Sequence, residues 1–200
     1  MELIYWMDIL GVLVFAISGT MIGIERQLDI FGASVIAFAT AVGGGTLRDV
    51  LIGSTPVGWM KDPAYIYVII LGIFLALLFK REFSMLSKTI FLFDTIGLGL
   101  YSIIGLKKAL LFGMSPMVAV IMGTVSAVFG GVLRDILTNR VPLIFRKEIY
   151  AILCIIGGIV FLILNKFFDH DIINTYLTMG LVIFMRILVV VKKWSLPKIS

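Results

Sequence analysis

The sequence predicts an all-α integral membrane protein with seven transmembrane helices, arranged as two inverted three-helix repeats plus a seventh helix. Three observations carry this. Of the 200 residues, 60% are apolar and only 14% are charged, where an ordinary soluble domain has about 45–50% and about 25%. The apolar residues gather into runs close to the ~20 residues that cross a bilayer. The chain also matches itself at an offset of 86 residues. A chain of this size cannot hide so much apolar surface inside itself, so water is not its main solvent. The single cysteine, Cys154, excludes a disulfide scaffold, and the shortage of polar residues excludes disorder.

The seven runs are 5–24, 32–53, 64–79, 89–106, 114–138, 149–165 and 172–191. The first lacks a basic leader and is too long for a cleavable signal. The second holds Gly43, Gly44 and Gly45 followed by Arg48 and Asp49. The third lies between Lys61-Asp62 and Lys80-Arg81-Glu82, and the fourth begins near Asp94 and stops before Lys107-Lys108. The fifth holds Gly130, Gly131, Arg134 and Asp135. Glu148 opens the sixth, where a carboxylate suits the positive end of a helix. The seventh follows Asp169-His170-Asp171, with His170 expected in solvent, and carries Arg186 near its end, where a long side chain is expected to snorkel. No connection is long enough for a soluble domain. Residues 1–200 therefore read as one membrane domain, with repeat 1 at about 5–80, repeat 2 at about 89–166 and the extra helix at about 172–191. Amphipathic strands of about ten residues, the mark of a membrane barrel, are absent.

Lysine and arginine near the span ends set the orientation. One side carries four, Lys61, Lys107, Lys108 and Lys166; the other carries ten, namely Arg26, Lys80, Arg81, Lys88, Arg140, Arg146, Lys147, Lys192, Lys193 and Lys198. The ten belong in the cytoplasm. This predicts an inner, plasma-membrane protein with its N-terminus outside and its C-terminus cytoplasmic. The net charge of +5 is then a topology signal, and no nucleic acid is expected.

At the 86-residue offset, Asp8 meets Asp94, Gly11 meets Gly97 and Gly19 meets Gly105. Gly44-Gly45 meets Gly130-Gly131, Leu47-Arg48-Asp49 meets Leu133-Arg134-Asp135, and Pro56 meets Pro142. Shared Leu and Ile would align any two apolar helices, but they do not explain coincident Asp, Arg, Pro and Gly. Three spans per repeat make the second copy enter the membrane from the opposite side. Such folds place a pathway between the repeats, at interrupted helices in matching positions; spans 2 and 5 fit.

Two readings of the glycines stand side by side. Helix-interior glycine costs up to about 1 kcal/mol relative to alanine, so the run invites a kink with freed carbonyls, tolerated only beside protein or a water-filled cavity. Small residues also allow helices to pack closely. Arg48 lies about 6 Å along its helix from Gly44 at 1.5 Å per residue, inside the membrane, and Arg134 mirrors it. An intramembrane charge is a functional hypothesis by default. Asp49 and Asp135 project about 100° away from their neighbouring arginines, so an adjacent pair need not form. Asp8–Arg48 and Asp94–Arg134 are the candidate charge pairs. No catalytic Ser-His or Cys-His arrangement and no metal-ligand cluster is present in the sequence, and Cys154 reads as a core residue. Neither an enzyme nor a cofactor is expected.

The segments 41–51 (AVGGGTLRDVL) and 130–137 (GGVLRDIL), with Arg140-Val141-Pro142-Leu143 through Glu148-Ile149-Tyr150-Ala151, resemble the prokaryotic branch of the TRIC family, trimeric intracellular cation channels. The resemblance covers essentially the whole chain, including the seventh span. It implies a homotrimer in which each protomer conducts monovalent cations, chiefly K⁺ but also Na⁺, through its own hourglass pore, surrounded by membrane lipids. It also implies kinked spans 2 and 5 at the pore, with Gly43, Gly44, Gly45, Arg48, Asp49, Gly130, Gly131, Arg134 and Asp135 at the pathway or gate. One position departs: Phe129 stands where the family has the first glycine of the second triplet. Arginines in a cation pore would repel cations unless they act as a gate, are neutralised by aspartate or hold an anionic group. The alternative reading is a secondary transporter of a small solute such as glycine, whose carboxylate an arginine and freed amides would bind.

Overall fold

The computed structural model describes residues 2–79, 86–145 and 149–195, and these are all-helical. In chain order the helices are α1 (Glu2–Glu25), α2 (Ile30–Leu51), the single turn α3 (Gly58–Lys61), α4 (Ala64–Leu78), α5 (Leu86–Leu111), α6 (Pro116–Leu137), α7 (Ala151–Phe167) and α8 (Asp171–Val191). A 3₁₀ turn, Leu143–Phe145, precedes α7. Each of the seven apolar runs thus becomes a helix. Five of them (α1, α2, α5, α6 and α8) are long and apolar enough to cross a membrane, whereas α4 and α7 are shorter. The structure adds one element and corrects one expectation. The connection after span 2 contains α3, and Lys107 and Lys108 lie inside α5 rather than beyond it. Lys80, Arg81, Arg146, Lys147, Glu148 and Lys198 fall outside the described residues.

Local chemistry fixes the ends. Asp29 caps α2, its Oδ1 accepting from the Gly32 N–H at 2.6 Å. Pro116 starts α6 at a position where its missing N–H costs nothing. In the connection before α4, Asp62 accepts from the Ala64 N–H at 2.9 Å and from the Tyr5 hydroxyl at 2.7 Å; the hydroxyl holds the Asp62 carboxyl below its ordinary range.

The helix exits recur 86 residues apart. α2 closes with Ile52 N–H on Arg48 O and Ser54 N–H on Asp49 O; α6 closes with Thr138 N–H on Arg134 O and Arg140 N–H on Asp135 O. The left-handed residue at each exit is Gly53 (φ +75) and Asn139 (φ +53), the two residue types that reach that conformation most easily.

Packing recurs as well. α1 lies against α2, α4 and α5; α5 lies against α1, α6, α7 and α8. The rings of Phe15 and Tyr101, 86 positions apart, stack at 5.4 Å and 5°. At the centre α2 and α6 cross in antiparallel sense. A Cβ on Gly44 would sit 2.2 Å from the Ser126 carbonyl oxygen, and one on Gly130 would sit 2.3 Å from that of Thr40. Only glycine lets the two backbones touch. The outward surface is apolar, with Tyr67, Phe74, Met117 and Phe184 all more than half exposed, a surface suited to lipid rather than water.

Candidate functional site

Four residues past each central glycine, α2 and α6 present their arginine–aspartate pair. Antiparallel crossing sends the two pairs to opposite sides of the contact. Arg48, Asp49, Arg134 and Asp135 are all at least 96% buried, a costly placement unless each charge is paired and hydrogen-bonded.

Around Arg48, the guanidinium Nε and Nη2 reach Asp49 Oδ1 at 2.8 and 2.7 Å, and Nη1 donates to Ser126 Oγ on α6 at 3.1 Å. Asp49 is also bound by Lys108 Nζ from α5 at 2.8 Å and by the Gly58 N–H of α3 at 3.1 Å. Asp8 of α1 accepts from the Tyr65 hydroxyl, and the Tyr101 hydroxyl donates to the Asp8 carbonyl at 3.3 Å. Asp8, Arg48, Asp49, Gly58, Tyr65 and Tyr101, with Gly45, Thr46 and Trp59, line a cavity of about 20 Å³, room for about one water.

Around Arg134, Nε donates to Asp135 Oδ1 at 3.0 Å, while Nη1 reaches Asp94 Oδ1 at 2.8 Å and Ser18 Oγ at 3.0 Å. The Tyr150 hydroxyl donates to Asp94 Oδ2 at 3.1 Å. The Leu143 N–H points at Asp135 Oδ2 at 3.3 Å. A larger cavity of about 360 Å³ opens here, lined among others by Ile22, Lys88, Asp94, Arg134, Arg140 and Arg186.

The remaining glycines take supporting places. Gly43 leaves room for Leu133, whose Cδ1 would lie 2.5 Å from an added Cβ. Gly45 and Gly131 each present their Cα where an added Cβ would be 3.6 Å from the arginine Nη2 of their own helix.

Asp94–Arg134 forms as a pair. Asp8–Arg48 does not: both line one cavity, but Arg48 turns to Asp49 and Ser126. Adjacent Arg–Asp pairs do form, against the 100° argument, because a long guanidinium stem folds back over its neighbour whatever the angle between the Cα positions. The expectation that a kink frees carbonyls from the ladder of α2 and α6 is corrected in its second part. Both helices run without interruption through their glycines, which serve contact rather than a gap in the ladder. Arg186 does not snorkel. It is 1% exposed, with its Cζ 4.8 Å from the Tyr150 ring centroid, 5.6 Å from that of Phe91, and Nη1 3.4 Å from the Ile149 carbonyl. Cys154 is buried and His170 exposed.

Sequence reasoning missed Lys108, Tyr65 and Tyr150. Lys108 had a signal: Asp94, Tyr101 and Lys108 recur every seven residues, which sets polar groups on one face of an apolar helix. The tyrosines had a weaker one, because the offset slips from 86 to 85 beyond Pro56 and Pro142. At 85, Gly58 meets Leu143 and Tyr65 meets Tyr150, and these are the pairs that occupy like roles.

Known proteins agree with this architecture. The family model described as "Glycine transporter" matches residues 5–81 and 91–166. An inner membrane protein of Escherichia coli, YadS of the UPF0126 group, is 39% identical over 195 residues, covering 97% of this chain and 94% of its own. A UPF0126 membrane protein of Vibrio cholerae is 42% identical, over 79% of this chain and 66% of its own length. Among solved structures, the TRIC trimeric intracellular cation channel orthologue from Rhodobacter sphaeroides superposes with a TM-score of 0.92 at 29% identity, covering 97% of this chain and all of that one. With its apolar helices and membrane relatives, the chain is a multi-pass membrane protein of channel fold. It belongs to the prokaryotic TRIC family, and the match to the glycine-transporter model is consistent with that.

Proposed function

We propose that this protein is a passive channel for monovalent cations, K⁺ first and Na⁺ with it, whose pathway runs inside each protomer of a homotrimer, along α2 and α6. The observation that carries this reading is the pair of charged cavities on either side of the Gly44–Gly130 contact. Each arginine there is matched by buried aspartate, which answers the objection that arginines repel cations. Gly43, Gly44, Gly45 and Gly131 shape the constriction, and Arg48–Asp49 and Arg134–Asp135 guard its two ends. The solved TRIC relative is a trimeric cation channel, and the trimer and the ion come to this chain from that likeness.

The reading carries an architecture with it. Residues 1–200 form one membrane domain with seven crossings, in which α1, α2 and α4 are related to α5, α6 and α7 by a pseudo-two-fold axis in the membrane plane. The reciprocal contacts support it: Gly44 meets Ser126 as Gly130 meets Thr40, the self-complementary pattern that a two-fold produces. The lysine and arginine asymmetry supports an outside N-terminus and a cytoplasmic C-terminus.

The name of the matching family model favours one other reading, transport of a small zwitterion such as glycine. Purified protein in planar bilayers separates the two. Unitary K⁺ currents are expected. Saturable uptake of labelled glycine into liposomes without such currents would replace the channel by the transporter.

A further inference from the structure

Asp8 and Asp94 stand 86 residues apart, and each accepts from a tyrosine hydroxyl, Tyr65 or Tyr150. Their second oxygens differ. Asp94 Oδ1 is taken by Arg134 at 2.8 Å. Around Asp8 both nearby cations are spent elsewhere, since Arg48 and Lys108 converge on Asp49. Among the described residues no cationic side chain forms an ion pair with Asp8. Its half-buried carboxylate borders the 20 Å³ cavity together with the hydroxyl-bearing rings of Tyr65 and Tyr101.

We propose that Asp8, with the phenol oxygens of Tyr65 and Tyr101, forms a binding site for one partly dehydrated monovalent cation in the Arg48 cavity. The donors are hard oxygens, which suit alkali ions. No cluster of three His, Cys, Asp or Glu is found among the described residues, so a transition metal finds no ligand set. One available carboxylate is too little charge for a tightly held divalent ion. The cavity admits about one water, so an entering ion sheds most of its hydration shell, and the carboxylate and phenol oxygens replace it. Arg48 is tied to Asp49 and Ser126 and so does not compete for the carboxylate. The lining charges Asp8, Arg48 and Asp49, with Lys108 bound to Asp49 beside the cavity, sum to zero; neutralising Asp8 leaves the cluster net positive and turns cations away.

This site deepens the channel reading and rests on it for its part in conduction, but binding has a readout of its own. Conductance of the parent, Asp8→Asn and Asp8→Glu is measured in planar bilayers at about 10 mM and about 1 M KCl, where the screening length falls from ~30 to ~3 Å. Asp8→Asn is expected to cut conductance about threefold or more at low salt and to approach the parent at high salt, with Asp8→Glu restoring it, because an unscreened local charge sets ion supply. Crystals soaked in Tl⁺ are expected to show anomalous density beside Asp8 in the parent and none in Asp8→Asn. Parent-like conductance of Asp8→Asn at low salt, or no Tl⁺ beside Asp8 in the parent, overturns the site. A parent that binds Tl⁺ there yet passes no K⁺ current overturns the channel reading and leaves the site standing.

Discussion

Arg48 and Arg134 sit at equivalent places in equivalent helices, each followed by an aspartate and preceded by glycines, yet their surroundings differ. Arg134 is held by two carboxylates, Asp94 and Asp135. Arg48 has one, Asp49, and shares it with Lys108. The cause lies on the other helices. α5 contributes Asp94 to one cluster and Lys108 to the other. On α1 the counterpart of Lys108 is Ile22, which lines the Arg134 cavity as an apolar wall. A duplicated motif thus fixes where charges stand, while residues off the motif decide which pairs form. One end becomes a closed network. The other keeps a carboxylate turned to the cavity.

The largest consequence falls on the arginines. Arg134→Ala strands two buried carboxylates, and breaking a buried pair costs about 3–5 kcal/mol. Arg48→Ala leaves Asp49 with Lys108 and the Gly58 N–H, so its cost should be about half as large. Thermal unfolding in detergent checks this, and equal losses would erase the contrast between the clusters.

The glycines test the converse, where the halves are alike. Gly44→Ala and Gly130→Ala each drive a methyl into a backbone carbonyl of the facing helix, at 2.2 and 2.3 Å. No side chain can move aside, so the helices must part, at about 3 kcal/mol, the upper end of overpacking. The two losses should match within about 1 kcal/mol, since both sites meet the same kind of atom. Unequal losses would mean that the crossing is less reciprocal than the distances say.

These tests also mark what was legible. The glycine–Arg-Asp motif was readable because it is doubled at one offset and its polar residues stand out in apolar helices. Its partners were less so. Pairing Arg48 with Asp8 followed the repeat faithfully and failed, because Lys108, without a counterpart, redistributes the charges. Arg186 looked like an end-of-helix side chain, but α8 packs on α5 and α7, and Tyr150 and Phe91 enclose it. The tyrosines escaped because one residue is lost from the second repeat's connection, which hides them from an ungapped comparison. Freed carbonyls were expected from the glycines, yet a neighbouring helix uses the same glycines for contact without breaking the ladder.

A smaller effect isolates Lys108. Lys108→Met should cost about 1–2 kcal/mol alone, a charge-assisted hydrogen bond to a half-buried ammonium. Combined with Arg48→Ala it should cost more than the sum, since Asp49 then loses its last cation. The coupling expected in a shared network is about 0.5–3 kcal/mol, read from a double-mutant cycle in the same unfolding assay. Simple additivity would mean that Lys108 and Arg48 do not share Asp49 in the membrane.

The smallest effect concerns the rim of the Arg134 cavity. Arg140 Nη2 meets Glu25 Oε1 at 2.6 Å, joining the end of α1 to the segment after α6. The equivalent positions on the other side, Ser54 and Leu111, carry no charge, so this pair too belongs to one end only. Both side chains are partly exposed, 23% and 37%, so water and salt screen them, and Glu25→Gln should cost about 0.5 kcal/mol or less. The cost should vanish at about 1 M salt, where the Debye length is ~3 Å. Conduction should respond more than stability does. Glu25→Gln leaves Arg140 uncompensated at the cavity's edge and raises the positive potential there. K⁺ current entering from that side should fall at low ionic strength, while current entering past Asp8 should change less. A symmetric loss of current in both directions would place Arg140 away from the ion's path and leave the larger cavity as a structural hollow.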